Sequence, residues 1–125
     1  MRDIVLYDER YIPNERRKRY MDAQIKRGLL DVCVLSALRS GESYGYQIIK
    51  DVSPYVSISE STLYPILRRL EAQNLVMVRS AEHNGRLRKY YRITTLGITR
   101  IRSFIDEWKE INLIYKFVTE GGLSV

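Results

Sequence analysis

The sequence holds a single cysteine, Cys33, and a single histidine, His83, in 125 residues. One thiol cannot close an internal disulfide, and one thiol with one imidazole cannot build a cysteine- or histidine-rich metal site. Cys33 lies in an apolar stretch with helical spacing, the pattern of a buried thiol rather than a reactive one. A lone histidine also removes His-based catalytic dyads and the HExxH motif, and neither a Walker loop nor a GxGxxG fingerprint is present. The carboxylates are scattered through amphipathic segments, as on solvated helix faces. Catalysis therefore has no candidate residue; the chain is not expected to be an enzyme, and no cofactor or metal is expected.

Other scarcities narrow the class. No apolar run approaches the ~20 residues of a membrane-spanning helix. The N-terminus, MRDIVLYDER, has no apolar core behind a basic start, so it does not read as a secretory signal. A cytoplasmic protein is the expectation. There is no internal repeat and no low-complexity linker. With 45% hydrophobic and 29% charged residues, the chain reads as one globular domain. Acids are outnumbered, 15 against 21 basic residues, for a net charge of +6. That favours a polyanionic partner such as DNA, RNA or an anionic membrane, and the placement of the charge must decide among them.

Residues 1–23 read as an N-terminal extension, partly helical, with Pro13 as a stop and Asn14 as a cap. The run Glu15, Arg16, Arg17, Lys18, Arg19 is either an arm for DNA phosphates or a solvated surface. Residues 24–93 read as one unit. From Gln24 to Ser40 the positions Ile25, Leu29, Val32, Cys33 and Leu35 or Ser36 share a helix face, broadened by Leu30, Val34 and Leu38. This helix should be central and largely buried, with Gly41 as its stop and Gly28 permitting close approach of another helix. Ser43 is placed to cap a short helix over Tyr44–Val52, which Ser53-Pro54 ends.

A third helix covers Ser59–Asn74, with Leu63, Ile66, Leu67 and Leu70 as its buried stripe. Its other face carries Ser61, Thr62, Tyr64, Arg68 and Arg69, an unusual set for a plain packing helix. Pro65 is awkward, because proline is easy only in a first turn. Either the regular helix starts near Thr62 or its first turn is loose. The period then changes: Leu75–Arg79 is β-rich, Asn84-Gly85 is a hairpin signal, and Arg88–Ile93 is a return strand. Short helices followed by a two-stranded hairpin form a winged helix–turn–helix pattern. In that frame Ser61, Thr62 and Tyr64 lead a recognition helix, Arg68 and Arg69 reach phosphate or guanine, and Arg86, Arg88 and Lys89 make a basic wing.

Thr94 caps a last helix over residues 94–120, with residues 121–125 as a tail after the stop at Gly121-Gly122. Its apolar residues Ile101, Phe104 or Ile105, Trp108, Ile111, Tyr115 and Val118 recur in near-heptad fashion. Such a stripe in a small domain needs a partner surface, most simply a second copy. A homodimer would set two recognition helices about one DNA turn apart (~34 Å), as a pseudo-palindrome requires. Trp108 is either a core aromatic of that interface or a flat surface for a planar ligand. The fold class is thus mainly α with a two-stranded β wing: a winged helix–turn–helix plus a C-terminal dimerisation helix. The expected function is sequence-specific binding of double-stranded DNA, with no membrane involved. A winged helix acting as a protein–protein adaptor without DNA is the alternative, and the basic hairpin argues against it.

Three segments carry a family resemblance: LLDVCVLSALRSGESYGYQIIKDV, STLYPILRRLEAQNLV and RKYYRITTLG. With them the chain resembles the PadR family of bacterial transcriptional regulators over about residues 24–118. The resemblance implies a dimeric repressor, and the single last helix is similar to that of the short, multidrug-sensing members. There a tryptophan from each subunit sandwiches flat hydrophobic compounds; Trp108 occupies the matching place, implying release by a small aromatic or phenolic effector. The residues around Trp108 depart from those members, and residues 1–20 extend beyond the usual pattern.

Overall fold

The computed structural model describes residues 22–120. The helix expected after Asn14, the basic run 15–19 and the stop at Gly121-Gly122 lie outside the described residues.

The first helix, α1, spans Ala23–Ala37. The Asp22 carboxylate accepts hydrogen bonds from the amides of Gln24 (2.8 Å) and Ile25 (3.2 Å), so the first orphan donors are satisfied. The helix ends earlier than Ser40. The Leu38 amide tightens back to the Leu35 carbonyl and the Arg39 amide to that of Ser36, and Gly41 follows the turn with φ +146°. Burial begins at Leu30 and runs through Val32, Val34 and Leu35, with Leu38 just beyond. Ile25, expected on the buried face, is 56% exposed, because the first turns of α1 project past the core. A Cβ at Gly28 would meet nothing, so no described helix approaches it closely.

Helix α2 spans Gly45–Val52 and buries Ile48 and Val52. Ser43 does not cap it. Its backbone pairs both ways with Tyr91 (2.7 and 3.0 Å), which turns its buried side chain inward and leaves Tyr44 at the cap position. Helix α3 spans Glu60–Ala72 and buries Leu63, Ile66, Leu67 and Leu70. Burying each such side chain stabilises the fold by about 1.5–3 kcal/mol. The helix starts earlier than Pro65 suggests. Both Thr62 and Leu63 donate to the Ser59 carbonyl, which tightens the first turn, and Pro65 falls in the second turn. There it leaves the Ser61 carbonyl without its helical donor.

Strands β1 (Val76–His83) and β2 (Arg86–Ile93) pair antiparallel from Val76↔Ile93 to His83↔Arg86. Asn84 and Gly85, at φ 53° and 79°, form the two-residue turn, whose positive φ values match the strand twist. Alternation puts Val76, Val78, Tyr91 and Ile93 on the core side, and Met77, Arg79, Arg88, Tyr90 and Arg92 on the outer side.

Helix α4 spans Thr95–Glu120, about 39 Å at the usual rise. Thr94 Oγ1 accepts from the Gly97 amide (3.0 Å) and donates to the Asn74 carbonyl (2.8 Å), tying the helix start to the end of α3. A Cβ at Gly97 would lie 2.5 Å from the Leu75 carbonyl oxygen and 2.6 Å from Ile93, so only glycine fits. Gly97 and Ile101 are the buried residues of α4, and α1 packs against α2, α3 and α4. No described helix is long and apolar enough to cross a membrane.

Candidate nucleic-acid interface

With 3.6 residues per turn, the face of α3 opposite its buried stripe is Ser61, Pro65, Arg68 and Ala72, all exposed. Two flanks border that ridge. Tyr64, Glu60 and Glu71 lie on the flank toward the wing, Thr62 and Arg69 on the flank toward α1. The hydroxyls of Ser59, Ser61 and Thr62 cluster at the helix start, with Ser59 Oγ 3.0 Å from Ser61 and 3.3 Å from Thr62.

A groove of about 1040 Å³ separates α3 from the wing. It brings together Tyr64 and Arg68 of α3, Tyr44 at the cap of α2 and Tyr46 within it, and Arg86, Arg88 and Lys89 of the wing. The ring of Tyr64 lies over Gly45; a side chain there would collide with its hydroxyl. The YGY and TLYP segments thus touch, and the aim of Tyr64 is set by α2.

Not every cation faces this groove in the same way. Arg88 is half-buried, its guanidinium 3.9 Å from the ring centre of Tyr44 and 5.9 Å from that of Tyr90. Arg79 stacks on Tyr90 from the other strand at 4.7 Å and donates twice to the Glu42 carboxylate, each at 2.7 Å. These contacts tie the outer face of the wing to the turn before α2. Arg86 and Lys89 are exposed. Arg69 differs from the expectation: its guanidinium donates to Asp31 of α1, a buried carboxylate. A buried acid must be paired, so Arg69 is drawn off the ridge and joins α3 to α1.

Hydrogen bonds from Arg79 hold the Glu42 carboxyl below its ordinary value, against an opposing desolvation effect. Burial pushes the Tyr91 hydroxyl and the Cys33 thiol upward. Sequence reasoning missed Asp31, Glu42, Arg79 and Tyr44. Asp31 carried a signal, an acid inside an apolar helix, and Tyr44 another, as the first residue of the Tyr44-Gly45-Tyr46 segment; Glu42 and Arg79 carried none.

The last helix departs from expectation at one position. Ile101 is 5% exposed inside its own protomer's core, so it cannot serve a second copy. Phe104 is half-buried against that core and lies 5.9 Å from Trp108, ring centre to ring centre. Ile105, Trp108, Ile111, Tyr115 and Val118 are exposed. Between α1 and α4 a groove of about 460 Å³ is walled by Ile25, Gly28, Leu29, Val32, Phe104, Trp108 and Ile111.

Three packed helices, a two-stranded wing and a basic groove between wing and third helix define a winged helix–turn–helix of the DNA-binding class. Residues 34–103 match the model of the "Transcriptional regulator PadR-like family". The chain belongs to this family, whose members are transcriptional regulators and not enzymes. An uncharacterised protein of Lysinibacillus sphaericus is 34% identical over 104 residues, 79% of this chain and 95% of that one. A solved transcriptional regulator from Clostridium thermocellum is 32% identical, with a TM-score of 0.66 over 82% of this chain and all of that one. Bacillus subtilis PadR, solved with operator DNA, shares the fold at 24% identity and a TM-score of 0.58, over 62% of this chain and 46% of that one.

Proposed function

We propose that this regulator is a cytoplasmic homodimeric repressor that binds a pseudo-palindromic operator through α3 and its wing. The observation that carries the reading is the exposed ridge of α3 bordered by the basic groove. Ser61, Thr62, Tyr64 and Arg68 are the base-side candidates, and Arg86 and Lys89 the wing's phosphate contacts. Arg88 contributes charge from within its tyrosine stack, and Arg69 supports α3 through Asp31. Bacillus subtilis PadR, which shares this fold, was solved with operator DNA, and this supports an operator as the partner.

Exposed apolar residues along α4 support dimerisation, with Trp108, Ile111, Tyr115 and Val118 facing the second copy. The α1–α4 groove beside Trp108 supports a planar hydrophobic effector stacking there. The residues divide accordingly: 24–93 bind DNA and 94–120 pair the subunits. Titrating DNA from upstream of its own gene, with scrambled competitor, tests the core of this reading. Sequence-preferring, salt-sensitive binding is expected; its absence sinks the proposal. Trp108 is the sole tryptophan, so its emission should shift on adding aromatic cations or phenolic acids. Unchanged emission across such a panel removes the effector.

A further inference from the structure

We propose that Lys26 and Arg27, near the start of α1, form a second phosphate clamp on the side of α3 away from the wing. The inference rests on the DNA-binding reading above and deepens it. A helix seated in a major groove ~12 Å wide has a phosphate backbone on each of its two sides. The wing flanks α3 on the side of Tyr64 and Glu71. On the opposite flank, Thr62, Pro65 and Arg69 open onto a cleft of about 310 Å³ whose far wall is the first turns of α1.

Lys26 and Arg27 stand on that wall and are exposed. Among the described residues, no carboxylate lines the cleft and neither cation forms an ion pair. Arg69, the third cation there, is already answered by Asp31. The backbone end of α1 is likewise taken, since Asp22 accepts its amides. The charge offered to a phosphate therefore comes from the two α1 side chains. Their offset from the recognition helix is fixed, because buried Leu30 and the Asp31–Arg69 pair hold α1 against α3. The three elements then follow in order: α1 cations on one backbone, α3 in the groove, wing cations on the other.

The test uses the full chain and a mixed-sequence duplex about 30 base pairs long, titrated by fluorescence anisotropy across a salt series. Wild type is compared with Lys26→Gln/Arg27→Gln and, as the wing control, Lys89→Gln. All three positions are exposed, and matching thermal melts check the fold. The α1 double variant should bind roughly tenfold more weakly, with a salt slope flatter by about 0.9 for each phosphate it no longer neutralises. Unchanged affinity and slope in that variant, alongside weakened Lys89→Gln, overturns the clamp and leaves the DNA reading standing. With DNA from upstream of its own gene titrated in parallel, loss of sequence preference at unchanged affinity for the mixed duplex also overturns it, since that assigns base reading to α1. Wild type that ignores DNA at every salt concentration removes the DNA reading and the clamp together.

Discussion

Gly97 sits where α4 passes closest to the strand that precedes it. In an open helix, Gly→Ala stabilises by about 1 kcal/mol. Here the added methyl meets the Leu75 carbonyl and Ile93, so Gly97→Ala should destabilise by about 1–3 kcal/mol instead. A thermal melt reads this as a fall of several degrees, and a rise would refute the close approach. Asp31 gives a second prediction. Asp31→Asn keeps the shape but removes the charge that holds Arg69, and should cost about 1.5–3 kcal/mol. It also releases a cation beside the DNA-facing ridge, so affinity for mixed-sequence DNA should rise and its salt slope steepen while operator preference falls. Anisotropy titrations separate these effects from a simple loss of stability. Helix spacing alone puts Arg69 among the DNA-facing residues. Its partner lies in another element 38 residues away, a distance at which periodicity carries no information.

Among the elements, the wing shows most clearly what sequence patterning can and cannot give. Asn84-Gly85 marks the turn and the alternation marks the faces, and the strands run from Val76 and to Ile93 on that register. The anchoring of the wing leaves no such mark, because Glu42, Tyr44 and Tyr90 meet Arg79 and Arg88 only after α2 has been placed. That anchor should respond to acid. The folded pKa of Glu42 is depressed from 4.5 by the hydrogen bonds from Arg79. A depressed carboxylate contributes stability above its unfolded pKa and loses that contribution as pH falls through the folded one. The Arg79 side-chain N–H resonance should therefore be steady at neutral pH and shift only below the ordinary glutamate range. Glu42→Gln should abolish that titration; a shift centred above pH 4.5 would contradict the pairing. Helix α3 is legible in its buried stripe and, to within a residue or two, in its bounds; what the sequence does not show is that Pro65 is carried inside the regular helix, one turn deeper than its usual place.

For the whole molecule, the apolar stripe of α4 is legible as a pattern, while its division between core and surface is not. Spacing alone cannot tell that Ile101 is enclosed by its own protomer whereas Trp108 and Ile111 are open. The proposed dimer is tested at Ile111. Ile111→Asp places a charge in the exposed stripe and well clear of the buried core, so sedimentation should report a monomer whose circular dichroism is unchanged. A dimer that persists would move the interface elsewhere on the surface.

The pairing of Ser43 with Tyr91 joins the turn before the second helix to the last strand, far apart along the chain. Its two hydrogen bonds can open only if the wing parts from the helices. Protection against hydrogen exchange at these amides should therefore approach that of global unfolding, while the tip around Asn84 exchanges freely. The wing is then no appendage that could be trimmed or grafted independently. Its base unfolds with the helical core as one cooperative unit.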